Sequence, residues 1–478
     1  MGSDIKSLVE NFYVNGTWWL PGSETEKSGT LTFDPEDGIK LELSAPLDGS
    51  NHIGLKRYDM IHGLTSRAKQ VTLLNCVSIS GLAVTQSGGA VFPTDIRADM
   101  LIHGKWAPIG EQRSKYDKVI VSIHNSHEFF GSTGLRNEWD ADYYIARWDK
   151  RSPITLDISG GEASIVLRCK PSYKSFGEIK IQEEIVFEIS SNKGKIDLED
   201  ALNGPVSSMH ALLNFAVGHR VPLLTVEGVN IESKIVNEKT MPAPTTVSIF
   251  YRQRTSSPSK KSMVGPHLLL FLGKMDEIRK ADILTIWDNI YSENTVAIQL
   301  FIDSGIHDKA EKLISFSFIQ IVSAMETLHR GSGNRLEEFN KKTLRSVKRK
   351  VSDCLKDEEK VVRDLVLEKL CYANEVNFRT RMSEIFDVAL KYVEINEADS
   401  IISRVVKLRN YFTHHPKNKE HLAQDVLDVW KVTQLLWGVF VVYILNKLGL
   451  DDAYIQDRIN NALYLKNAFY WFVDRQDD

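Results

Sequence analysis

The stretch Leu408-Arg-Asn-Tyr-Phe-Thr-His-His-Pro416 sets Arg409 five residues before His414, with Asn410 directly after the arginine. Breaking an RNA strand without a metal requires a proton to leave the ribose 2′-OH and another to reach the departing 5′-oxygen. It also requires the charge on a phosphorane-like transition state to be offset. Histidine exchanges protons near neutral pH, and positioned acid-base groups contribute about 100- to 10,000-fold in rate, which makes His414 the candidate for proton transfer. Arginine stays cationic and presents planar donors suited to phosphate oxygens, so Arg409 is the candidate for charge stabilisation. Asn410 could hold a phosphate or a water, and His415 could assist or replace its neighbour. A carboxylate at Glu326 extends an otherwise largely apolar helical stripe and needs a partner, because an unpaired ionised group in a packed face is costly. It is expected to orient Arg409 or to hold a charged His414.

Helices must position these groups. Ile314, Phe318, Ile321, Met325 and Leu328 recur in steps of four and three, which sets them on one helix face, with Ser315, Ile319, Val322 and Glu326 in the neighbouring row. Ile401, Val405, Leu408 and Phe412 form the face of a second helix, which is expected to stop near His414 because Pro416 disfavours helical geometry at His415. A third runs from beyond Glu420 to about Lys447. Five helical steps put Arg409 and His414 roughly 140 degrees apart, so an unbroken helix cannot aim both at one phosphate. Either the helix ends before His414, or the site is completed across two subunits. The run Lys341-Lys-Thr-Leu-Arg-Ser-Val-Lys-Arg-Lys350 is cationic, with Lys341, Arg345 and Lys348 on one helical face. Such a face could hold an RNA backbone without reading its sequence.

The rest of the chain bounds the reading. With 478 residues and a formal charge of -4, two or three ordinary domains fit, and the average field gives no general pull on nucleic acid. Cys76, Cys169, Cys354 and Cys371 are too scattered for a disulfide framework, so a reducing cytoplasm is expected. No secretory leader is read at the N-terminus, and the apolar run Leu435 to Leu445 is too short for a bilayer span and reads as a buried helix. No membrane association is expected. Residues 1–305 read as a β-rich domain. Within it, 1–195 is dominated by short alternations such as Leu31 and Phe33, the turn Asp34 to Gly38, then Ile39, Leu41 and Leu43. An antiparallel sandwich or open barrel is expected there. Residues 196–305 are mixed α/β, with an exposed loop and candidate hinge at Thr255 to Ser262, and 306–478 form an all-α bundle. The fold class is therefore α+β and multidomain. His124 and His127 lack a third ligand, Trp18 and Trp19 are expected in a core, and no phosphate-binding glycine loop is present, so neither a metal nor a cofactor is called for.

Over roughly 306–478, the R-N-x-x-x-H form at Arg409 to His414 resembles the HEPN superfamily, all-α modules many of which are metal-independent ribonucleases. The segment Phe318 to Arg330 is similar to the first long helix of the ApeA-like branch. Asn15-Gly-Thr-Trp-Trp-Leu-Pro-Gly22, followed by Gly29-Thr-Leu-Thr-Phe33, resembles the opening of the ApeA N-terminal domain. This resemblance implies an endoribonuclease of abortive-infection defence against phage, leaving a 2′,3′-cyclic phosphate and a free 5′-hydroxyl. It also implies pairing through the HEPN helices, as a homodimer or dimer of dimers. The β-rich half is expected to restrain the toxic activity until a phage-derived activator binds. Two other readings stay open: a catalytically inactive bundle that only binds RNA or a nucleotide, and an interaction protein whose β-rich half senses a ligand.

Overall fold

A computed structural model describes residues 7–473 except 49–53, 82, 85–89, 92, 111–113, 141–142, 159–160, 176–177, 237–238, 254–266, 306–312, 332–339, 373–374 and 415–424. The loop and hinge expected at Thr255 to Ser262 lie outside the described residues. The chain forms two compact units, one of Met1–Gly265 and Phe271–Asp288, the other of Pro266–Leu270 and Asn289–Asp478.

The first unit follows the alternation in its sequence. β1 (Phe12–Trp19), β2 (Glu26–Asp34) and β3 (Gly38–Leu43) pair in turn, and Leu31 and Phe33 bury opposite Leu41 and Ile39. The turn between β2 and β3 is tied by Asp34, whose carboxylate accepts the N–H groups of Glu36 and Asp37 at 2.8 and 2.9 Å. Those backbone bonds, that of Asp37 foremost, hold the Asp34 carboxyl below its ordinary value. β4 (Gly54–Thr65), β5 (Gln70–Ser80) and β6 (Thr94–His103) complete a ring in which β6 bonds to both β3 and β5. The order β6-β3-β2-β1-β4-β5 returns to β6, giving a closed six-stranded antiparallel barrel with no free edge. Of the sandwich or barrel expected from the sequence, the structure has the barrel, closed rather than open. Short-range alternation reports which face of a strand is buried, but closure depends on β6 meeting β5 and β3 at once.

Beyond Ala98, β6 stays bonded to β5 on one side and exchanges β3 for a new partner on the other. The remaining strands are β7 (Lys118–Ile123), β8 (Ile154–Ile158), β9 (Gly161–Ser175), β10 (Glu178–Ser191), β11 (Leu223–Val236) and β12 (Lys239–Tyr251). β12 pairs with β6 from Ser248 against His103 to Tyr251 against Met100, and the sheet continues as β12-β11-β7-β10-β9-β8. Helices α1 (Ser207–Val217) and α2 (Glu277–Ser304) are joined where Trp287 donates its indole N–H to the Ser208 carbonyl at 2.9 Å and packs 5.5 Å from the Phe215 ring. Met209 of α1 and Leu284 of α2 share a small cavity with Leu156, Phe187 and Ile189, so these helices cover that part of the sheet.

One close approach in the barrel is testable. Trp18 is fully buried, faces Gly63 across the β1–β4 pair, and donates to the Gly29 carbonyl at 3.3 Å. A Cβ at residue 63 would collide with the indole ring of Trp18. Gly63→Ala is therefore expected to destabilise the first unit by about 1–3 kcal/mol through overpacking, read as a lower urea midpoint. A midpoint equal to that of the parent would show that Trp18 has room to move.

The second unit is helical. It contains α3 (Ile314–Gly331), α4 (Lys341–Cys354), α5 (Lys360–Tyr372), α6 (Phe378–Ala389), α7 (Ala398–His414), α8 (Val426–Lys447), α9 (Asp452–Asn461) and α10 (Leu463–Phe469). α8 is the central element and packs against α3, α6 and α10. It is buried all round from Val432 to Leu445, as a helix apolar on every side must be. It is long and apolar enough to cross a membrane, yet 78% of that stretch lies inside the bundle. Stacking of Phe301 on Phe440 at 4.4 Å and on Trp437 at 5.8 Å anchors it further.

Candidate active site

Three helices of the second unit bring the polar groups together. α7 forms because Ile401, Ile402, Val405 and Leu408 share one buried face, and Asp399 in the first turn favours the helix dipole. Its end is fixed by Phe412, 5.6 Å from the Phe318 ring of α3. Leu408 is fully buried, so the next residue, Arg409, emerges at the rim of the bundle with its side chain 33% exposed. On α3, Phe318, Ile321, Met325 and Leu328 are buried as their spacing predicts, and Glu326 stands beside them, 20% exposed. α6 starts at Asn377, which caps the helix by accepting the Thr380 N–H at 3.0 Å and thereby presents Phe378.

These elements close around Arg409. Its Nη2 lies 3.7 Å from Oε2 of Glu326, its guanidinium stands 5.4 Å over the Phe378 ring, and its Nη1 donates to Oδ1 of Asn410 at 3.4 Å. The expected partnership of Glu326 with Arg409 corresponds to this contact, and Glu326 makes no ion pair or hydrogen bond with His414. The guanidinium is held on several sides while part of it still faces solvent, an arrangement suited to receiving a phosphate oxygen.

His414 is placed differently. It is the last residue of α7 and exposed, and among the described residues its ring makes no hydrogen bond or ion pair. Of the two arrangements left open by the sequence, the helix does not end before His414. Arg409 and His414 therefore leave the same helix about 140 degrees apart. Asn410 is exposed beside Arg409, and His415 lies outside the described residues. Arg345 is exposed and Lys348 half-buried on α4, which Asn340 caps through the Thr343 N–H at 2.9 Å; the side chain of Lys341 is outside the described set. No hydrogen bond or ion pair among the described residues joins Arg345 to Arg409, Asn410 or Glu326. Nor do three His, Cys, Asp or Glu side chains gather there as a metal set.

Several neighbours escape a reading of the sequence. Arg330 of α3 donates to Oε1 of Glu326 at 3.0 Å, and Glu375 lies 3.9 Å from both Arg330 and Arg381. The Glu326 and Arg330 spacing of four was the one local signal available. Arg381 is 3% exposed, and its Nε donates to the Val376 carbonyl at 2.8 Å. Burial, then the charge of Arg330, lowers its pKa, while Glu326, Glu375 and Glu384 oppose the shift. His329, fully buried, meets Glu384 at 2.6 Å and ties α3 to α6.

Residues 14–287 match the family model of ApeA N-terminal domain 1, and residues 319–454 match that of the Apea-like HEPN domain. Nothing among the curated proteins or the solved structures matches the chain.

Proposed function

The chain belongs to the ApeA family, defence proteins with a HEPN nuclease-type module, and from that premise we propose that it is an endoribonuclease which cuts RNA without a metal. The observation that carries this is the setting of Arg409, a guanidinium fixed by a carboxylate and an aromatic ring yet open to solvent on its remaining side. In the reaction, the ribose 2′-oxygen attacks phosphorus and the bond to the 5′-oxygen breaks. His414 takes the 2′-OH proton and returns a proton to the leaving oxygen, so the products are a 2′,3′-cyclic phosphate and a 5′-hydroxyl. Arg409 offsets the charge that builds on the non-bridging oxygens, and Glu326 holds Arg409 in place without contacting substrate.

Because a single α7 directs Arg409 and His414 apart, the working site pairs Arg409 of one subunit with His414 of another. HEPN domains typically dimerise and act on RNA, and a two-fold arrangement of α7 would supply two such pairs. The cations of α4, Lys341, Arg345 and Lys348, would hold the RNA backbone, with Asn410 and His415 nearer the scissile phosphate. The β-rich unit restrains this activity until a phage-derived component binds, since an unrestrained ribonuclease would harm its own cell.

The test is direct. Full-length protein incubated with total RNA in EDTA is expected to cleave at the rate seen in magnesium, leaving ends that ligate only after the cyclic phosphate is opened. Cleavage that stops in EDTA and returns with added magnesium, or ends carrying a 5′-phosphate, would contradict the proposed mechanism.

A further inference from the structure

The charges around Arg409 form an alternating chain. Starting at the surface, Arg409 meets Glu326 at 3.7 Å, Glu326 meets Arg330 at 3.0 Å, Arg330 meets Glu375 at 3.9 Å, and Glu375 meets Arg381 at 3.9 Å. Each carboxylate is shared by two guanidinium groups. One end is anchored, because Arg381 is 3% exposed and bound to the Val376 carbonyl. The other end is Arg409, and between them Arg330 and Glu375 are both exposed.

Within this chain Glu326 is not evenly shared. Arg330 occupies one of its oxygens at hydrogen-bonding distance, whereas Arg409 stands farther from the other. A lone carboxylate beside an arginine normally draws it into a two-bond fork, which would occupy the same donors that a phosphate needs. We propose that Arg330 is a positioning residue: by engaging Glu326 it prevents that carboxylate from closing on Arg409, and so keeps the Arg409 donors available to an RNA phosphate. Glu375 holds Arg330 from its other side. This rests on the reading of Arg409 as the phosphate-binding group. Arg330 itself acts only through Glu326.

The experiment is a double-mutant cycle on full-length protein with a defined RNA in EDTA. Arg330→Ala is expected to lower kcat/KM about tenfold, mainly through KM, because donors lost to Glu326 weaken phosphate binding. Arg330→Lys keeps a cation beside Glu326 and is expected to recover most of that loss. In a Glu326→Gln background there is no charge to close on Arg409, so adding Arg330→Ala is expected to change kcat/KM by no more than about twofold relative to Glu326→Gln alone. A tenfold loss from Arg330→Ala in both backgrounds would overturn the proposal, since Arg330 would then be touching RNA directly or serving only the fold. Wild-type kinetics for Arg330→Ala would overturn it as well. Arg409→Ala, measured alongside, separates the two levels: undiminished cleavage by that variant would remove the function assigned to the site, and this inference with it.

Discussion

His414→Ala is expected to reduce RNA cleavage by about 100- to 10,000-fold, the range that a positioned proton-transfer group supplies. The same substitution is expected to leave the fold intact. His414 is exposed at the end of α7, its ring has no partner among the described residues, and the helix is secured by Val405, Leu408 and the Phe412 contact with Phe318 rather than by the imidazole. Thermal unfolding and RNA retention in a gel-shift assay should therefore match the parent protein while cleavage is lost. In cells, the growth arrest that follows triggering should be lost as well. A His414→Ala protein that cleaves within a few-fold of the parent would mean that the proton is moved by another group, with His415 the first to examine. A bundle that merely binds RNA would show no cleavage in either protein.

Joining an Arg409→Ala chain and a His414→Ala chain in one dimer is expected to restore cleavage that neither protein has alone. The reason is geometric. If Arg409 and His414 of one chain cannot serve one phosphate, each intact pair draws on two chains, and a mixed dimer contains one pair with both members present. Random exchange of subunits gives mixed dimers half of the time with one of two sites intact, so activity should reach about a quarter of the parent level. Subunits must be exchanged by co-expression or by brief denaturation, since a stable dimer will not trade chains on mixing. No recovery in co-purified mixed dimers would show that the two groups act within one chain, or that both copies of one group are needed at every site.

The elements that carry the site were largely legible. The steps of three and four in Ile314 to Leu328 and in Ile401 to Phe412 named the buried faces of α3 and α7. The Asp34 to Gly38 turn with its flanking alternation marked the β2–β3 hairpin. In each case the signal is local, because a helix or hairpin buries residues only a few positions apart. In β11 and β12 the sequence has strand character only at Leu223 to Val226 and Thr246 to Tyr251, because farther out Ile231 and Met241 stand exposed and offer no buried stripe. In the candidate site, the residue types were legible but the contacts between them were not. Glu326 was singled out as a carboxylate in need of a partner, whereas Arg330 carried only its spacing of four from Glu326, and Glu375 and Arg381 no pattern that distinguished them from ordinary surface charges.

The sequence by itself determined which residues have the chemistry that the proposed proton-transfer and phosphate-binding roles require, and which helix faces must be buried. Tertiary structure alone decided that Glu326 and Arg409, far apart along the chain, face each other with Arg330 competing for the same carboxylate. It also decided that α7 stays helical through His414 and that β6 closes a barrel. The physical reason is that period and propensity act over a few residues, whereas an ion pair or a strand closure depends on how separate elements pack, and packing is set by the whole core at once.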